Sequence, residues 1–269
     1  MPGWTLATLI GLSLTFSVVP SAAGGDKPGA PITIEYHGQS FYIITTSKGK
    51  RIAFDPHLIP EYGRVEGLKA DIICISHNHN DHTRVDALEN NKAAKILRGL
   101  KTASLKSDWN IVEETVGDIK VRTVGVYHDD QEGLTRGKVG VFIVEVDGWK
   151  IAHLGDLGHL LTPAQLKRIG PVDVLMIPVG GIYTLNGSEA RKVVDQIKPK
   201  EYVFPMHYGT KVFDATLPPD EFFDLLEKRR LAISDDNVLK LNRDEQRPRP
   251  LFVQLHYWPK EEKKDVKKK

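Results

Sequence analysis

One cysteine, Cys74, in 269 residues excludes an internal disulfide framework and any four-cysteine zinc or iron–sulfur site. Excess charge of either sign is missing as well. The chain sets 37 basic side chains against 35 acidic ones, which speaks against a nucleic-acid partner. No internal repeat and no Pro/Ser-rich linker divides residues 30–258, so one domain is expected there. Charged side chains are absent from residues 1–25, where an apolar run from Leu6 to Val19 leads into Pro20-Ser21-Ala22-Ala23. That layout predicts a secretory signal over residues 1–23, cleaved after Ala23, and hence a periplasmic or secreted protein. A spanning helix needs about 20 apolar residues, so no permanent membrane span is expected. Because Met1-Pro2-Gly3-Trp4 offers no basic n-region, a cytoplasmic protein with another start site is the alternative. Residues 259–269 are rich in lysine and read as a basic, flexible tail.

Between these ends the first half reads as strands. Ile32–Tyr36, Phe41–Thr46 and Arg51–Phe54 are rich in β-branched and aromatic residues. Asp71–Ser76 is a short continuous apolar run, the pattern of a strand covered on both faces. Ile119–Val126, Val139–Val146 and Trp149–Leu154 follow, and Asp147-Gly148 between the last two is a type I′ hairpin signal. Val172–Pro178 and Tyr202–Met206 complete the strands. Helices are predicted over Thr83–Asn91, Pro163–Ile169, Ser188–Ile197 and Asp220–Arg230, the second opened by Thr162 and Pro163. An α/β fold of two sheets covered by outer helices is the natural packing for such a series.

Histidine is the residue in surplus, with ten copies. Three of them stand in Ser76-His77-Asn78-His79-Asn80-Asp81-His82, directly after the apolar run 71–76. In an extended segment His77 and His79 lie on the same side, so their imidazoles can converge on one ion. Asp81 and His82 point elsewhere, toward a second ion. Imidazole and carboxylate suit zinc, iron or manganese. Further ligands are expected at later strand ends: His128 after the strand ending at Val126, Asp156 in His153-Leu154-Gly155-Asp156, and His207 after Tyr202–Met206.

With these residues the chain resembles the metallo-β-lactamase fold hydrolases, in the branch related to ascorbate-6-phosphate lactonase. Tyr36-His37-Gly38-Gln39-Ser40-Phe41 is similar to the opening strand motif of that branch, and Ile52-Ala53-Phe54-Asp55-Pro56 to its first aspartate motif. The resemblance implies a four-layer αββα sandwich of two mixed sheets. It assigns His77, His79 and His128 to a first metal, Asp81, His82 and His207 to a second, and Asp156 to both. Asp55 would orient the metal loop from behind. Two divalent ions are implied, zinc first and manganese or iron as alternatives. The implied reaction is hydrolysis of a small-molecule ester, lactone or phosphodiester by a hydroxide shared between the ions, with Asp81 and Asp156 as catalytic carboxylates. Two other members of the fold offer alternatives: a mononuclear iron enzyme like the persulfide dioxygenases, and a phosphodiesterase like those acting on N-acyl phospholipids.

Other candidates stand near the ligand-bearing strand ends. His153, His159, Tyr183 and Tyr208 are candidate substrate contacts, and His57 sits in a loop able to act as a flap. The loops Tyr127–Lys138 and Gly180–Gly187 are expected to shape the pocket. Cys74 reads as a small packing residue rather than a nucleophile.

Overall fold

The computed structural model describes residues 30–258 apart from Leu105 and Leu225, so the expected signal over 1–23 and the tail over 259–269 lie outside the described residues. The strands in chain order are β1 (Ile32–Tyr36), β2 (Tyr42–Thr45), β3 (Arg51–Phe54), β4 (Ile72–Ile75) and β5 (Lys95–Arg98). Then come β6 (Glu113–Val116), β7 (Ile119–Tyr127), β8 (Lys138–Val146) and β9 (Trp149–His153). After helix α1 (Pro163–Ile169) comes β10 (Val174–Pro178), and after α2 (Gly187–Ile197) comes β11 (Tyr202–Met206). The short α3 (Asp220–Phe223) precedes β12 (Leu231–Ile233), β13 (Val238–Leu241) and β14 (Leu251–Gln254).

These strands form two mixed sheets, one of six strands in the order β13-β1-β2-β3-β4-β5 and one of eight in the order β12-β14-β11-β10-β9-β8-β7-β6. The expected two-sheet sandwich is present. Its main core lies between the sheets, where Ile34, Tyr36, Tyr42, Ile44, Phe54, Ile72 and Cys74 meet Val124, Val141 and Ile151. On β4 the alternate residues Ile73 and Ile75 turn to a second cluster with Phe41, Ile43, Ala53 and Leu88. This two-faced burial is why the run 71–76 lacks the polar alternation of a surface strand. The outer faces are thinly covered. Capping boxes at Thr162/Gln165 and Asn186/Glu189 start α1 and α2, and Ala190, Val193 and Val194 bury the inner face of α2.

Two expected helices are corrected. Thr83–Asn91 forms only a 3₁₀ turn over Val85–Ala87. Its neighbouring amides bond across the fold instead, Arg84 N–H to Pro56 O and Glu89 N–H to Leu68 O, which leaves no i→i−4 ladder. Asp220–Arg230 is helical only over Asp220–Phe223, followed by a second 3₁₀ turn at Lys228–Arg230. No helix among the described residues is long and apolar enough to cross a membrane.

The larger sheet sets the direction of the site. β7 and β9 are each antiparallel to β8, and β9, β10 and β11 are parallel, so the carboxyl ends of β7, β9, β10 and β11 share one edge. β4 of the smaller sheet joins that edge through a bond between the sheets, Gly140 N–H to Ser76 O at 2.9 Å. Gly140 and Gly99 permit it: a Cβ on Gly140 would stand 2.6 Å from the Gly99 Cα.

Candidate metal centre

Each expected ligand follows the strand that places it: His77, His79, Asp81 and His82 after β4, His128 after β7, Asp156 after β9, and His207 after β11. The structure brings all seven together. His77, His79, His128 and Asp156 form one group, and Asp81, His82 and His207 another, each with ligand atoms within 4.8 Å of one another. In the first group His79 Nδ1 lies 3.0 Å from His77 Nε2 and 3.2 Å from His128 Nε2. Asp156 Oδ2 sits between the groups, 3.6 Å from His77 Nε2 and 3.2 Å from the Nε2 atoms of His128, His82 and His207. Ligands bonded tetrahedrally at about 2.0–2.1 Å would be separated by about 3.3 Å, so the donor spacing matches a metal centre. Hydrogen bonding alone does not satisfy these atoms. The buried His82 Nε2 and Asp156 Oδ1 have no hydrogen-bond partner among the described residues. The donor set therefore fits divalent cations.

Behind the ligands stands Asp55, buried and with φ of +44°. Its Oδ1 accepts the Ser76 amide at 2.7 Å, and its Oδ2 accepts both the Ser76 hydroxyl at 2.6 Å and His82 Nδ1–H at 3.0 Å. With its proton given to Asp55, Ser76 Oγ accepts His77 Nδ1–H at 2.9 Å. One carboxylate thus turns the Nε2 lone pairs of both His77 and His82 into the site. Gln39, in the motif between β1 and β2, does similar work on the other side. Its Nε2–H donates to Asp81 Oδ2 at 2.9 Å, and its carbonyl accepts the His207 amide at 2.8 Å. Gln39 and His207 have φ of +50° and +52°, left-handed values that side chains other than glycine seldom adopt.

Three close backbone approaches hold the ligand loops together. A Cβ on Gly158 would stand 2.2 Å from the His128 carbonyl oxygen, and one on Gly180 2.1 Å from that of His207. Gly155, at φ +53°, passes so close to Ser76 that a Cβ would lie 2.7 Å from its side chain.

The electrostatics suit cations. Burial, helped by the charge of His82, pushes His77 well below the usual imidazole range, and burial with His128 lowers His79. Both are thus neutral and ready to donate a lone pair. Burial opposes charge on His82 too, yet Asp156, Asp81 and Asp55 outweigh it and raise the group well above its ordinary value. Burial would raise Asp156 and Asp81, but the surrounding histidines reverse this and hold both carboxyls well below the usual range. Without metal, a proton favoured on His82 would offset only one of the three carboxylate charges around it.

The cavity over this cluster has a volume of about 320 Å³ and is lined by Gln39, His79, Asp81, His128, Asp156 and His207, with Arg136, Tyr183, Phe213, Ala215 and Thr216 at its walls. The loops Tyr127–Lys138 and Gly180–Gly187 reach it through Arg136 and Tyr183. Among the four candidate substrate contacts only Tyr183 lines it. His153 is fully buried instead, its Nε2–H on Ser40 O at 2.9 Å and its Nδ1 accepting the Gly155 amide. His159 accepts the Tyr127 amide and bonds to Leu160 O. Tyr208 is buried against Tyr36 and faces a neighbouring cavity. His57 is no flap: its Nε2–H is shared between the His37 and Gly38 carbonyls, and its Nδ1 accepts the Ile59 amide. Cys74 is buried, and burial pushes its thiol far up. Gln39, Ser76 and Arg136 have roles here that ligand spacing alone does not reveal.

The chain is similar to known proteins in sequence and in fold. Residues 33–207 match the model of a beta-lactamase superfamily domain. A UPF0173 metal-dependent hydrolase of Thermococcus onnurineus is 32% identical, over 66% of this chain and 85% of the relative. One from Pyrococcus abyssi is also 32% identical, over 75% and 96% of the two chains. Among solved structures, a protein of Thermotoga maritima proposed as a Zn-dependent hydrolase of the metallo-beta-lactamase superfamily is 31% identical, with a TM-score of 0.61, covering 83% of this chain and 97% of that one. A metallo hydrolase of Ignicoccus hospitalis, at 21% identity and a TM-score of 0.54 over 72% and 90% of the chains, shares the fold. With a domain match over residues 33–207 and relatives of this coverage, the chain belongs to the beta-lactamase superfamily, among its metal-dependent hydrolases.

Proposed function

We propose that the protein holds two divalent ions, zinc in first place, and hydrolyses a small-molecule ester, lactone or phosphodiester. The observation that carries this reading is the position of Asp156 Oδ2, 3.2–3.6 Å from histidine nitrogens of both ligand groups. A single-ion site would need no such shared oxygen. His77, His79 and His128 would hold one ion, Asp81, His82 and His207 the other, with Asp156 common to both. Bound there, the ions would supply Lewis acidity and lower the pKa of a water toward about 7. Asp81, held at Oδ2 by Gln39 and lining the cavity, is placed to orient a proton of the attacking water. Its depressed pKa makes it a proton acceptor in a hydrogen bond rather than a proton store. Gln39 and Asp55 keep the two sides of the cluster in register. No Ser or Cys nucleophile is required.

The test is metal quantification on natively purified protein, joined to turnover on a panel of lactones, carboxylic esters and phosphodiesters. Two zinc or manganese ions per chain, with activity lost to a chelator and restored by metal, is the expected result. One iron per chain with oxidative turnover would replace this reading with the mononuclear oxidation alternative. Protein without metal and without metal-dependent turnover would end it. Export is part of the same proposal, and N-terminal sequencing of the mature chain checks it.

A further inference from the structure

We propose that Arg136 is the substrate-anchoring residue of this cavity, and that the substrates are organic anions whose phosphate or carboxylate takes its guanidinium. The inference rests on the metal-site reading above and narrows its substrate class.

The loop that follows His128 is built to present this side chain. Asp129, buried, accepts four backbone amides of its own loop: Gln131 and Gly133 on Oδ1 at 2.9 and 2.8 Å, Thr135 and Arg136 on Oδ2 at 3.0 and 2.7 Å. The His128 amide closes the loop on Gly137 O at 3.0 Å. Arg136 is thereby fixed at its backbone and coupled to a metal ligand only eight positions away. Its side chain is fixed as well. Nη2 donates to Ile182 O at 3.0 Å, and the guanidinium stacks 5.0 Å from the centre of the Tyr183 ring. Ile182 has φ of +57°, an outlier for a β-branched residue, and it is the carbonyl of this strained residue that meets Arg136.

Such positioning leaves the charge unspent. Among the described residues no carboxylate pairs with Arg136, and unlike Arg122 and Arg191, which are likewise unpaired, it lines the cavity over the ligand cluster. A guanidinium has five N–H donors in a planar fork suited to a carboxylate or phosphate, and one of them is used here. Charge balance favours the same class of ligand. Two divalent ions with a shared hydroxide would balance the charge of Asp55, Asp81 and Asp156, so Arg136 stands as net positive charge in a cavity that holds no further carboxylate among its lining residues. Arg136 belongs to the wall and not to the ligand cluster, so the anion it would bind is a group other than the one held at the metals.

The experiment uses hydroxamates, which chelate zinc through one end and differ only at the other. The monohydroxamates of succinic, glutaric and adipic acid carry a remote carboxylate at increasing reach, and butyrohydroxamate carries none. Their affinities for the zinc-loaded full chain are measured by titration calorimetry, for wild type, Arg136→Met, Arg136→Lys and Asp129→Asn. In wild type at least one carboxylated ligand is expected to bind about tenfold or more tightly than butyrohydroxamate, the scale of a charge-assisted hydrogen bond. Arg136→Met should bring that ratio close to one, and Arg136→Lys should retain part of it. Asp129→Asn, which keeps the guanidinium but loosens its loop, should reduce the ratio while leaving zinc content at the wild-type value. A wild-type ratio near one for every chain length, or a ratio that survives Arg136→Met, would overturn the assignment of Arg136 alone. Failure of all four hydroxamates to bind zinc-loaded protein would instead overturn the metal-site reading, and this inference with it.

Discussion

Asp55 Oδ2 accepts His82 Nδ1–H at 3.0 Å, and through the Ser76 hydroxyl at 2.6 Å the same oxygen sets the tautomer of His77. One histidine from each ligand group therefore depends on a carboxylate that reaches neither group's centre directly. His128 and His207 have no hydrogen-bond partner on Nδ1 among the described residues, so this support is concentrated at Asp55. Asp55→Asn keeps the shape but can set an amide N–H against the donors that Asp55 now accepts. Zinc affinity should fall about tenfold to a hundredfold, the usual scale for losing such a partner. Competition against a chromophoric chelator measures it, and wild-type affinity in this variant would refute the role.

The shared oxygen of Asp156 makes a prediction about stoichiometry rather than affinity. His207→Ala removes a donor from the second group and leaves His77, His79, His128 and Asp156 intact. On the proposed two-ion reading, its metal content should fall from two ions per chain toward one. Asp156→Ala takes the oxygen from both groups and should fall below one. Elemental analysis after dialysis decides, and equal losses in the two variants would argue against a bridging carboxylate.

Much of this centre was legible because ligand type and strand end coincide. The continuous apolar runs before His77 and His207 mark strands buried on both faces, and a polar ligand directly after each stands at the strand's carboxyl end. His153 misleads for the same reason: it has the composition of a site residue, but its position on β9 turns it inward to Ser40 O. The edge strands β5 and β6 carry no apolar signature in the sequence, because residues such as Lys95, Glu113 and Glu114 are exposed. The Thr83–Asn91 segment has a helical pattern that tertiary bonds to Pro56 and Leu68 override. Arg136 lay inside a loop expected to shape the pocket, yet its placement depends on Asp129, Ile182 and Tyr183, contacts that no local pattern encodes.

Gly158 tests how closely the fold constrains the metal. A methyl group there would stand 2.2 Å from His128 O and 2.7 Å from the Asp129 amide, both backbone atoms that cannot rotate away. Gly158→Ala should therefore destabilise the protein by about 1–3 kcal/mol, the range for forced overpacking. It should also weaken zinc binding, because the atoms displaced belong to a ligand residue. Urea denaturation with and without zinc separates the two effects. A larger loss with zinc than without is the expected pattern, and equal losses would mean the strain stops short of His128.

His57 supplies an acid sensitivity outside the ligand cluster. Its ring is satisfied only when neutral: Nε2–H serves the His37 and Gly38 carbonyls, while Nδ1 must stay unprotonated to accept the Ile59 amide at 3.1 Å. Burial, against the opposing pull of those carbonyls, lowers its pKa from 6.5 to about 4. Between these values the unfolded chain binds the proton and the folded chain does not, so stability falls as pH drops through this window and levels off below it. The full effect is about 3 kcal/mol, of which roughly 2 should be lost by pH 5. His57→Gln lacks the titrating group while retaining every metal-site histidine. In chelator-treated protein the variant should be the less stable at pH 8, having lost packing against Phe41 and Tyr62. By pH 5 the gap between variant and wild type should narrow by about 2 kcal/mol. Urea titrations at the two pH values give that double difference directly, and a gap that does not change with pH would show that His57 is protonated as readily in the folded protein as in the unfolded chain.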